Sequence, residues 1–148
     1  MKIALVTDEF HPINTFVLES IKKRGFHSVL FGSYITHKDV PWVEATVEAA
    51  KLVANGTCSE GIFFCWSGTG ASIASNKVKG IRAALVSDAE TARLSRTWNH
   101  ANVLVLSNRS LTEKAAEEIL DAWFEPYDTK LGQEGIEALN KLEALGEI

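Results

Sequence analysis

The sequence predicts a doubly wound α/β domain on a five-stranded parallel sheet, with a C-terminal helix. Two observations predict it. Five short apolar runs recur along the chain, and helical patterns fill the gaps between them. Such alternation gives a parallel sheet with right-handed crossovers. The runs are Ile3–Val6, Ser28–Phe31, Gly61–Phe64, Ile81–Val86 and Val103–Leu106. Each is almost wholly apolar rather than alternating, as expected of strands covered on both faces.

The first helix opens at Pro12, buries Ile13, Phe16, Val17 and Ile21 on one face, and ends at Gly25. A second carries Val43, Val47 and Ala50 and closes near Gly56. Ser72–Lys77 forms a short third and Ala89–Trp98 a fourth. Ser110 and Glu113 have the spacing of a capping box, opening a fifth helix that presents Ala116, Ile119, Leu120 and Trp123. Pro126 then breaks the chain, and residues 133–145 form a last amphipathic piece with Ile136, Leu139 and Leu142. Residues 1–148 read as one domain, with no repeat, low-complexity segment or second domain.

Composition narrows the function. A chain of 148 residues, 46% hydrophobic and 23% charged, can bury a core without staples. Its 15 Lys and Arg against 19 Asp and Glu leave a net charge of −4, which argues against a general nucleic-acid binder. The start "MKIALVTDEF" has too short an apolar core for a signal peptide, and no run approaches membrane-spanning length. Cys58 and Cys65 have no zinc-site spacing, so no metal is expected. A reduced, cytoplasmic setting fits these thiols.

The chemistry concentrates in "FFCWSGTGASIASNK", residues 63–77, where a cysteine ends an apolar run and a small-residue loop leads into a helix. Ligands of doubly wound sheets bind outside the carboxyl ends of the strands. Asp8, Cys65–Gly70 and Asn99–Asn102 are the polar segments expected there. The loop is neither a dinucleotide fingerprint, which would need a small residue where Ile73 stands, nor a Walker loop, which would need a lysine. A cysteine-phosphatase loop would need an arginine where Ala71 stands. What remains is a cysteine before a turn whose N–H groups can face an anion and stabilise a thiolate or developing oxyanion. A base beside an oxyanion hole is equipment for removing a proton α to a carbonyl. The same residues also fit a small buried cysteine and glycines that permit close helix–strand packing.

"GIFFCWSGTGASIASNKVKGIRAAL" followed by "NHANVLVLSNR" resembles the ribose-5-phosphate isomerase B / galactose-6-phosphate isomerase family. The likeness covers about residues 1–125 and is specific from Cys65 to Leu85. It implies a Rossmann-like αβα sandwich, dimeric or tetrameric, with active sites shared between subunits. The reaction implied is aldose–ketose isomerisation of a small sugar or sugar phosphate through a cis-enediolate, with no metal or cofactor. By position, Cys65 matches the family's base, Ser67 the hydroxyl beside it, and Trp66, Gly68, Thr69 and Gly70 the anion-hole loop. Asp8 matches the acidic residue that handles substrate hydroxyls, Asn99 a substrate-binding asparagine, and Arg109 an arginine of the phosphate site. Read without the resemblance, Asp8 also fits a helix cap, Asn99 a turn and Arg109 a solvated charge.

The departures fall in the site. Glu9 stands where the family has a histidine, with His11 two residues on. Trp98 replaces the ring-opening histidine, and His100 replaces an aspartate. Val40 stands for the tyrosine before Pro41, with Trp42 just after that proline. The arginines that clamp phosphate have no counterpart in "KLGQEGIEALNK". Proton abstraction is therefore kept while ring opening and phosphate grip are altered, which disfavours ribose 5-phosphate as substrate. A non-catalytic carbohydrate-binding or assembly protein is the alternative, and a nucleophilic Cys65 hydrolase or redox protein a third. Segment 126–148 is expected to pack on a partner subunit, because it has an apolar stripe and little chain left to cover it.

Overall fold

Strand β1 (Lys2–Thr7) leads through α1 (Pro12–Lys23) to β2 (His27–Gly32), a single turn α2 (Ser33–Thr36) and α3 (Trp42–Ala54). Next come β3 (Glu60–Cys65), α4 (Thr69–Asn76), β4 (Ala83–Leu85), α5 (Ala89–Asn99), β5 (Val103–Ser107), α6 (Glu113–Trp123) and α7 (Gln133–Ala144). This computed structural model describes residues 1–146. All the strands pair parallel, in the order β2-β1-β3-β5-β4.

The apolar runs serve two cores, because successive side chains of a strand point to opposite faces. Ile3, Leu5, Ile62, Phe64, Leu104 and Leu106 meet Val17, Ile21, Ile119 and Trp123 on the α1/α6 side. Ala4, Val6, Phe63, Cys65 and Val105 meet Ala45, Ala49 and Ala71 on the α3/α4 side. Small residues on α3 and α4 let those helices approach the sheet, and Cys65 belongs to that face.

Several boundaries differ from the sequence reading. The fourth strand is Ala83–Leu85, not Ile81–Val86, and it is a half-exposed edge rather than a strand buried on both faces. Ile81 is spent on a turn, its N–H bonding Val78 O at 3.1 Å. The Asn76 side chain runs beside Ala83, accepting its N–H at 2.8 Å and donating to its carbonyl at 3.1 Å. α4 begins at Thr69, three residues before the expected Ser72. α6 is capped by Thr112, whose hydroxyl accepts the Ala115 N–H at 3.1 Å, so Ser110 is not its cap. Ser110 instead bonds the Ser107 hydroxyl at 3.2 Å.

At the amino end of β3, Glu60 is 8% exposed and takes hydrogen bonds from Arg96 at 2.5 Å and from Trp123 Nε1 at 2.9 Å. Arg96 also donates to Ala101 O, and its guanidinium lies 4.5 Å from the Trp123 ring and 5.0 Å from that of Tyr127. α7 has no buried residue. It leans on its own chain through the Glu143 carboxylate, which accepts the Gly80 N–H at 3.0 Å.

Candidate active site

The chain leaves β1 toward β2 on one side, and β3 lies on the other, so the sheet's direction of growth reverses between β1 and β3. Such a reversal opens a crevice at the carboxyl ends of the two strands. Thr7 pairs with Phe64, which brings the next residues, Asp8 and Cys65, to opposite lips of it. The cleft between them has a volume of about 270 Å³ and is lined by Asp8, Trp42, Cys65, Trp66, Ser67, Thr69 and Gly70.

The glycines of the loop have separate reasons. Gly68 sits at φ +83°, and a Cβ there would come within 2.5 Å of Leu85. Its turn brings the Gly68 N–H to 3.1 Å from Cys65 Sγ, and the Ala71 N–H follows at 3.5 Å. At Gly70 a Cβ would meet the Trp42 ring at 3.1 Å, so the indole packs closely against the start of α4. The first N–H groups of a helix have no partner within it. Ala71 gives its N–H to the sulfur and Thr69 gives its own to Ser67 Oγ at 3.4 Å. The Gly70 N–H is then the one the first turn has left for a substrate oxygen. Within the expected cradle of residues 66–70, the Gly68 N–H is thus turned to the cysteine itself. The Ser67 and Thr69 hydroxyls are 2.7 Å apart.

Asp8 is fixed by its backbone: its carbonyl accepts the Ser33 hydroxyl at 2.7 Å and the Val40 N–H at 3.0 Å. Its Oδ1 is buried with no hydrogen-bond partner. Burial pushes the carboxyl up from its ordinary range; its own N–H partly offsets this and the Glu9 charge adds to it. A carboxyl so raised is better matched to exchanging protons with a ligand's hydroxyl groups.

His11 precedes Pro12 as the cap of α1, with its N–H bonded to Asn14 Oδ1 at 2.7 Å. The imidazole lies 5.5 Å from the Trp66 ring, 3.7 Å from the Glu9 carboxylate, so it backs the cleft wall rather than lining the cleft. Arg109 follows β5 at the same end, its N–H on Trp66 O at 3.0 Å and its side chain exposed.

Asn99–Asn102 correct the sequence reading. A segment that precedes a parallel strand lies at the strand's amino end, and Asn102 O accepts the N–H of Gly61, near the start of β3. Trp98, Asn99 and His100 are therefore across the sheet from Cys65 within one chain. His100 has φ +45°, and its Nε2 is bonded to Leu131 O at 2.6 Å. Trp98 is half-exposed, with its carbonyl packed under Gly132, where a Cβ would overlap it.

The model for the ribose/galactose isomerases matches residues 3–142. The chain belongs to the ribose/galactose isomerase family. It is an aldose–ketose isomerase, an intramolecular oxidoreductase. Ribose-5-phosphate isomerase B of Escherichia coli is 34% identical over 129 residues, 86% of this chain and 85% of that one. D-erythrulose-4-phosphate isomerase of Pectobacterium atrosepticum is 38% identical over 109 residues, 74% of this chain and 72% of that one. The solved structure of ribose-5-phosphate isomerase B from Clostridium thermocellum superposes with a TM-score of 0.88 at 32% identity, covering 97% and 98% of the two chains. This family of enzymes gives no support to the non-catalytic alternative. Among the described residues no cluster of three or more His, Cys, Asp or Glu could hold a metal, and no helix is long and apolar enough to cross a membrane.

Asn108 was not singled out by the sequence. It is buried, and it bonds groups on both sides of the crevice. No local motif marks it, since its partners are about a hundred residues away. Trp42, which the sequence reading noted only beside Val40 and did not count among the site residues, forms a cleft wall.

Proposed function

We propose that this isomerase acts on a small, open-chain sugar phosphate, with Cys65 as the base that carries the proton between C2 and C1. The observation behind this is the Cys65 sulfur, held by two backbone N–H groups in a cleft that it shares with Asp8. The thiolate takes the C2 proton of the aldose, the electron pair forms the C1=C2 bond, and negative charge moves onto O1. The Gly70 N–H and the Ser67–Thr69 hydroxyl pair are the donors for that charge. Returning the proton to C1 while the O2 proton passes to O1, with Asp8 or Ser67 as carrier, yields the ketose. No residue is consumed. The two free cysteines suit work in the reducing cytoplasm.

The substrate class follows from the other half of the site. Indole N–H only donates and cannot open a sugar ring by proton transfer. His100, the neighbouring candidate, has its Nε2 committed to Leu131 O. A substrate that never cyclises removes the need. A tetrose esterified at O4 cannot close a furanose, and the relative named D-erythrulose-4-phosphate isomerase supports this class. Erythrose 4-phosphate should be used with a kcat/KM about 10²-fold above that of ribose 5-phosphate, the scale of one missing acid–base group. Equal or better use of ribose 5-phosphate would count against the reading.

Trp98, Asn99, His100 and Arg109 cannot all reach one Cys65 within a chain, so the functional unit is a homo-oligomer in which one copy's Trp98 end covers the other's cleft. Exposed Trp42, Trp66 and Ile73 around the cleft and the unburied α7 support this. Segment 126–148 is the part proposed to reach the second copy; its last two residues lie outside the described ones. Cys65→Ala and Asn99→Ala chains, each nearly inactive alone, should regain about a quarter of wild-type activity when co-expressed, since mixed two-fold dimers hold one intact site. No regain in a confirmed mixed oligomer would mean that the halves are not shared.

A further inference from the structure

We propose that Asn108 is a positioning residue for the isomerisation: its side chain fixes the Asp8 carboxylate relative to the Cys65 sulfur. This rests on the roles proposed above for Asp8 and Cys65. Asn108 follows β5, and its own N–H donates to Cys65 O at 3.0 Å, at the end of β3. Its Nδ2 donates to Thr7 Oγ1 at 3.0 Å and, more weakly, to Glu9 O at 3.4 Å. Thr7 Oγ1 in turn donates to Glu9 O at 2.5 Å. Asn108 therefore grips the residues on either side of Asp8 and the carbonyl of Cys65 at once.

The direction of each amide is decided by the backbone. The His11 N–H needs an acceptor, so Asn14 presents Oδ1 to it and must turn Nδ2 toward Asn108 Oδ1, 2.8 Å away. That in turn points the Asn108 NH₂ at Thr7. The Asn14 carbonyl is held by the buried Tyr34 hydroxyl at 2.9 Å. Thr7 and Asn14 are fully buried and Asn108 nearly so, where apolar side chains would fill the space without a desolvation cost. What a polar relay adds is a single fixed geometry. It is spent on the loop that carries Asp8, whose Oδ1 is buried and has no hydrogen-bond partner. Supporting hydrogen bonds of this kind hold a reacting group in its productive orientation.

The experiment is a double-mutant cycle with erythrose 4-phosphate, or ribose 5-phosphate if that proves the faster substrate. Asn108→Ala should lower kcat by about 10- to 100-fold, with KM changed by less than about threefold. In an Asp8→Asn background the same substitution should cost less than about threefold, because the group it positions is already gone. Equal losses in both backgrounds would overturn the inference and leave the site reading standing. A silent Asp8→Asn would overturn the site reading, and the inference with it. Should Asn108→Ala not fold, Thr7→Val and Thr7→Ser separate the same link: Ser keeps the hydroxyl and should keep kcat, whereas Val should lose it. Equal kcat in the two would also overturn the proposal.

Discussion

Cys65→Ala is expected to lower kcat by about 10²- to 10⁴-fold, the range for removing a positioned general base. The substitution deletes the only atom in the cleft proposed to touch the migrating proton. It also strands the Gly68 and Ala71 N–H groups, which now bond the sulfur at 3.1 and 3.5 Å. A folding defect must therefore be separated from a chemical one. Cys65→Ser does this, since its hydroxyl still accepts from those donors but is far too weak a base. It should fold like the parent and remain inactive, with circular dichroism and thermal unfolding run beside the kinetics. Near-normal turnover by either folded variant would remove Cys65 from the mechanism.

Glu60→Ala is expected to cost about 3–5 kcal/mol of stability, the scale of leaving a buried charge without its partner. Arg96 would keep its bond to Ala101 O and its place against Trp123 and Tyr127, but with no carboxylate opposite its guanidinium. Trp123 Nε1, deep in the α1/α6 core, would lose its acceptor as well. Glu60→Gln keeps an acceptor for the indole and should recover part of the loss. The measurement is urea unfolding at one fixed protein concentration, so that the proposed association adds equally to the apparent stability of each variant. A loss under about 1 kcal/mol would mean that the pair behaves as a solvent-screened surface bridge.

Much of this fold was legible because the strands are buried on both faces. Ile3–Val6, Gly61–Phe64 and Val103–Leu106 each form one strand of the central three, within a residue or two of their observed limits. The fourth strand was overextended at its start because apolar Ile81 is also buried, although it lies in a turn; Val86, just past the strand's end, still donates its N–H to Val105 O. α2 went unseen, being a single turn held by the Ser33 hydroxyl on Asp8 O and Lys38 O. Within the site, Cys65, Asp8 and the glycine loop were legible from their places at strand ends. Asn99 and His100 were set at the wrong end of the sheet, although their place directly before β5 puts them at its amino end. Asn108 and Glu60 could not be read locally, since their partners are distant in sequence.

The amide of Asn76 has a bearing on how the molecule meets others. It supplies to Ala83 the two hydrogen bonds that a neighbouring strand would make, on the outward side of a strand only three residues long. A sheet margin occupied in this way is a poor template for another chain's backbone. Growth of the sheet from one molecule into the next is therefore blocked along β4. A copy that met this margin would do so through side chains and helix faces, each keeping its own sheet, so partner choice there is written in shape and surface chemistry rather than in the backbone's general appetite for pairing.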